Sequence, residues 1–168
     1  HKPDRRQRQM CIRDRSGKLL HKKAKIHRID GLHGHVHLHP TLRPRTVSSP
    51  PKVMVRRLVG DGIHDSDEIL EIPENWLEGL DVKYADENEV EGNPWDLITK
   101  ISSMDGVITQ SVTLASESAL LGVPCLLVTK AVRGFLQRLE NEGYPLFIAN
   151  KIDESILLSL IHISEPTR

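Results

Sequence analysis

From residue 82 onward the apolar residues fall into short unbroken runs, and between them they recur at helical spacing. Gly106–Thr109, Cys125–Val128 and Leu146–Ala149 are such runs, each preceded by Asp or Pro, and 82–85, interrupted by Lys83, reads as a further strand. Runs of this length without polar alternation predict strands buried on both faces. Residues 94–103 carry Trp95, Ile98 and Ile101 at three-residue spacing, with Leu97 beside them, which predicts a helix. Two more helices are expected over 113–121 and 133–142, stopped by Gly122 and Gly143, because glycine takes the left-handed conformation that ends a helix at no Cβ cost. Upstream, 53–57 reads as a short β-branched strand, and Pro73 suits the start of a helical turn around 74–78. Residues 33–39 alternate His with Gly, Val and Leu, the period of an extended segment, and 40–52 holds four prolines and reads as a loop. A last helix is expected from 152 to 158, capped by Asp153. Strands alternating with helices of about ten residues predict an α/β fold, a parallel Rossmann-like sheet with helices on both faces. Val107, Cys125 and Leu127 belong in its core.

Charge changes the picture at the ends. The 168-residue chain is neutral overall, with 23 basic and 23 acidic side chains, yet residues 1–57 are strongly basic and 61–105 strongly acidic. The acidic middle and an aromatic content of only 4% argue against nucleic-acid binding. Two cysteines, one of them in a predicted core strand, argue against a disulfide scaffold and favour a reducing, cytoplasmic setting. No apolar run is long enough to span a membrane. The CIRDR string near the start and the closing LSLIHISEPTR resemble translated sequencing-adapter read-through of metagenomic assemblies. That resemblance implies non-native tails at 1–15 and 159–168, and a genuine fragment over 16–158 that lacks an N-terminal domain. Residues 16–52 then read as an interdomain or linker segment, and 53–158 as the Rossmann-like domain.

Candidate chemistry gathers in TQSVTLASESA, where the strand ending at Thr109 turns into a helix. Backbone amides of a first helical turn have no intrahelical partner and suit an anion such as phosphate. Thr109, Ser111 and Thr113 add hydroxyls, Gln110 reaches either way, and Glu117 lies one turn past Thr113 on the same face, where it can accept from a pair of sugar hydroxyls. The plainer alternative is that Thr113 caps the helix and Glu117 is solvated. Lys130 and Arg133 follow the next strand and suit a diphosphate. Arg56 or Arg57 ends the first strand of the domain, and since side chains alternate only one of the two faces a crevice. His64, in the Gly/Asp-rich turn behind them, is a candidate acid or base.

The D-x-V-I-T strand, the small polar turn and the A-x-E-S-A-L-L-G-V-P run that follows resemble the nucleotide-sugar-binding half of GT-B-type glycosyltransferases and of UDP-N-acetylglucosamine 2-epimerases. More closely, they are similar to an uncharacterised archaeal and bacterial domain-of-unknown-function family related to those enzymes. The resemblance runs over about 31–149 and is best at 105–124. It implies the C-terminal half of a GT-B-type two-domain protein, binding a nucleotide-diphosphate sugar, with 109–113 at the diphosphate and Glu117 at the ribose. No cofactor is expected. This chain departs from the glycosyltransferase pattern in having Gln110-Ser111-Val112 where a Gly-Gly pair is usual. A non-catalytic interaction domain of the same fold is the alternative.

His33, His35, His37 and His39, at two-residue spacing, would share one face of an extended strand. Such a row is a lesser candidate for a metal-dependent hydrolase, but the further ligands such a site needs are not evident downstream, so no metal site is assigned. Within the family resemblance the same stretch is a linker strand leading out of the first domain.

Overall fold

The computed structural model describes residues 31–38, 46–58, 70–85, 94–130 and 134–151. Five strands, β1 (Lys52–Arg56), β2 (Asp81–Tyr84), β3 (Gly106–Thr109), β4 (Cys125–Val128) and β5 (Leu146–Ala149), form one sheet in the order β2-β1-β3-β4-β5. Every neighbouring pair is parallel. The predicted strands therefore stand, with β1 and β2 each starting and ending one residue earlier. The α-helices α1 (Pro94–Ser102), α2 (Val112–Leu120) and α3 (Gly134–Asn141) connect β2 to β3, β3 to β4 and β4 to β5.

Alternation along the strands divides the core into two layers. Met54, Val107, Cys125, Leu127 and Leu146 pack against Ile101 of α1, Leu114, Ala115, Ala119 and Leu120 of α2, and Leu136 and Leu139 of α3. Val53, Val55, Ile108, Leu126, Val128 and Ala149 point the other way, with Ile72, Trp76 and Leu77. Among the described residues, then, all three α-helices lie on one face and a 3-10 helix (Glu74–Leu77) lies on the other. Handedness explains the asymmetry. The crossovers that carry an α-helix all advance in one direction across the sheet, and right-handed connections of one direction stay on one side. Only the β1-to-β2 connection runs backward, and it crosses the opposite face. Val107, Cys125 and Leu127 are fully buried, as their runs predict.

The histidine segment departs from expectation. His33–Val36 is a 3-10 helix, not an extended strand, so the two-residue spacing does not set His35 and His37 on one strand face, and His39 lies outside the described residues. Its shape follows from what it packs on: Leu32 and Leu38 enter the core beside α2, and the intervening turn brings both inward. Gly34 lies so close to Leu120 that a β-carbon would collide with the leucine δ-methyl. The alternating pattern here reflected polar tips around two buried leucines, not a β period. The tails at 1–15 and 159–168, and the expected helix at 152–158, lie outside the described residues.

Among the described residues no helix is long and apolar enough to cross a membrane.

Candidate functional site

In a parallel sheet a crevice opens where two neighbouring strands send their connections to opposite sides, outside the carboxyl ends. Here that place is between β1 and β3, since the chain leaves β1 toward β2 on one side and leaves β3 toward β4 on the other. Arg56 pairs with Thr109 in the last register position of the two strands, so Arg56, Arg57, Thr109, Gln110 and Ser111 gather at this edge. The sequence-predicted residues are therefore brought together as far as the turn is concerned.

What their side chains do there is mostly internal. The Thr109 hydroxyl is buried; it donates to the Arg56 carbonyl (3.2 Å) and accepts from the Ser111 amide (2.9 Å). Gln110 is only 6% exposed. Its Oε1 accepts from the Leu58 amide at 2.7 Å and its Nε2 donates to the Leu70 carbonyl at 2.6 Å. Ser111 is the N-cap of α2, its side chain accepting from the Leu114 amide at 3.4 Å. Thr113, the cap in the plainer alternative, is an exposed residue of the first turn. The cap moved two residues back because Ser111 has the extended backbone (φ −83°, ψ 115°) that an N-cap requires.

With the Ser111 and Leu114 amides occupied in this way, the orphan donors of the helix start are Val112 and Thr113, and the Thr113 hydroxyl stands beside them. Lys130 is exposed just past β4, at the neighbouring loop of the same edge. Of the two arginines, alternation places Arg56 on the α-helical side, with Met54. Arg57 points to the other face, where it pairs with Glu74 and stacks over the Tyr84 ring, 5.4 Å from its centroid. His64 and Arg133 lie outside the described residues.

Glu117 lies in the second turn of α2 and is approached at 3.4 Å by His37 Nε2. His35 Nε2 stands 3.4 Å from the Tyr144 hydroxyl, so two of the four histidines meet partners on different elements. His33 and His39 have no described side chain, and among the described residues no three His, Cys, Asp or Glu side chains are grouped for a metal ion. His37 is a partner of Glu117 that the sequence could not name. The two are 80 residues apart and no spacing connects them.

Asp105, the acid of the D-x-V-I-T motif, works at the opposite edge. One of its carboxylate oxygens accepts from the amides of Ser48 (3.1 Å) and Lys52 (2.8 Å), fixing the chain as it enters β1. That part of the motif has a structural purpose. The Cys125 thiol is held protonated, burial pushing it well above its ordinary value, and it takes no part in the edge.

Compared with known proteins, the chain matches no family model, no curated sequence and no solved structure.

Proposed function

We propose that this domain binds the diphosphate of a nucleotide sugar at the carboxyl edge between β1 and β3, as the ligand-binding half of a glycosyltransferase-like or epimerase-like protein. One observation carries the reading: α2 opens at the reversal point of the sheet with the Val112 and Thr113 amides directed to that edge. The Thr113 hydroxyl, Lys130, Arg133 and Arg56 supply further donors and positive charge, and the resemblance of 105–124 to GT-B-type proteins supplies the ligand class. Glu117 receives the ribose hydroxyls by exchanging its contact with His37 for them. Thr109, Gln110 and Ser111 act from behind, shaping the turn without touching the ligand. In a two-domain enzyme the acceptor and most catalytic groups come from the other domain.

That Thr109, Gln110 and Ser111 all spend their side chains on backbone groups is the observation that favours the second reading, a non-catalytic interaction domain. Calorimetric titration of the chain with UDP and UDP-N-acetylglucosamine separates the two. Saturable binding, weakened several-fold in Thr113→Ala and in Lys130→Ala, is the expected result. Absence of any nucleotide binding would give the interaction reading precedence, and unchanged affinity in Glu117→Ala would remove the ribose role.

A further inference from the structure

The Gln110 side chain joins three points of backbone that are distant in sequence. It begins just past β3, accepts from Leu58 just past β1, and donates to Leu70, where the chain comes back toward the opposite face of the sheet. Leu58 and Leu70 are thus held within the span of a single carboxamide. Around it, the Gln110 amide (3.2 Å) and the Thr109 hydroxyl (3.2 Å) both donate to the Arg56 carbonyl, so the β1–β3 pairing continues past the last strand residue.

We infer that Gln110 is the positioning residue of the carboxyl edge: it sets the separation of β1 and β3 at the crevice mouth and anchors both ends of the 58–70 connection. The inference rests on the reading of this edge as a ligand site for its effect on affinity, though not for the latch itself. The chemistry demands this residue type. One target is an N–H and the other a C=O, so the side chain must accept and donate at once. Glutamate at the same length can only accept when ionised. Asparagine is one methylene short of both targets, and methionine fills the space with no strong hydrogen bond. A ligand group would leave one end of the amide open to the crevice, whereas here both ends are bonded and the residue is buried.

The test is residue-resolved amide hydrogen exchange by NMR on the whole chain, paired with UDP calorimetry, for the native sequence, Gln110→Met and Gln110→Glu. In the native sequence the Leu58 amide should exchange slowly although it lies outside any strand. In Gln110→Met it should exchange about tenfold faster, as expected for loss of one ordinary hydrogen bond, while the β3 and β4 amides stay protected. In Gln110→Glu the Leu58 amide should remain within about threefold of native, because an acceptor is kept. UDP affinity should fall several-fold in both variants. A fast Leu58 amide in the native chain overturns the latch even if neither variant folds. Unchanged Leu58 exchange in a folded Gln110→Met variant overturns it too, and a loss of UDP affinity there without that change would make Gln110 a direct ligand contact. If the native chain binds no nucleotide, the proposed function fails, while the exchange measurements still decide the latch.

Discussion

The two edges of the sheet are closed by different chemistry. At the amino edge the work is done by backbone carbonyls: Pro51 accepts from Asp81, Pro124 from Val107 and Pro145 from Cys125, each at 2.9 Å. Proline lacks an N–H, so at the entry of a strand it supplies the acceptor the ladder needs and leaves no donor unpaired. Asp105 adds a side chain there, which accepts from two amides. At the carboxyl edge no proline takes this part between β1 and β3. There the Gln110 amide donates to the Arg56 carbonyl, and the side chains of Thr109 and Gln110 add bonds to Arg56, Leu58 and Leu70. An edge closed by main chain is fixed by the fold, whereas one reinforced by side chains can be retuned by substitution. The second kind is where a ligand site can be adjusted, and it coincides with the reversal point of the sheet.

Substitutions on the two edges should separate these roles. The largest effect is expected from Gln110→Leu, which strands the Leu58 amide and the Leu70 carbonyl together; urea denaturation should show a loss of about 1–3 kcal/mol. An effect confined to alkaline pH belongs to Cys125 at the amino edge. Its folded-state ionisation is raised above its ordinary value of 9.0 by burial, so the unfolded chain releases this proton first. Stability should therefore be unaffected by this group below about pH 8 and fall above pH 9, by about 1.4 kcal/mol per pH unit once the unfolded thiol is ionised. Cys125→Ala should abolish that alkaline slope, apart from its own packing cost. Next comes Asp105→Ala, at about 1 kcal/mol, because water can reach part of the freed Ser48 and Lys52 amides. The smallest effect is expected from Asp105→Asn. Both amides are bonded to one oxygen, which an asparagine carbonyl can replace, so the cost should stay below about 0.5 kcal/mol in the same denaturation measurement. A large loss in Asp105→Asn would mean that charge, not geometry, holds the amino edge.

β3 and β4 were legible in the sequence because burial on both faces leaves an unbroken apolar run, and runs such as CLLV and GVIT have no helical alternative at four residues. The helix stops were legible for a similar local reason: Gly122 and Gly143 take φ of 72° and 81°, which only glycine adopts without strain. The cap of α2 was displaced by two residues because three hydroxyl residues compete for it, and backbone geometry decides among them. The 33–39 segment was misread because its buried leucines, Leu32 and Leu38, are matched to α2 by tertiary packing and not by any period. Of the site, the turn at 109–113 was legible and the use of its side chains was not. Gln110 bonds to two backbone groups 52 and 40 residues away, and backbone groups carry no sequence signature.

The strand order has a consequence for how the chain reaches this state. β1 lies between β2 and β3, and its pairing with β3 joins residues about fifty positions apart, from Val53 with Gly106 to Arg56 with Thr109. The entropy of closing so long a loop is spent before any contact rewards it, and parallel partners offer no hairpin to start from. Folding should therefore nucleate in the β3-α2-β4 unit, where the connections are short, and recruit β1 afterwards. A chain emerging from synthesis would hold β1 with one edge unpaired until Thr109 is made, and the Gln110 bonds to Leu58 and Leu70 would be among the last to form.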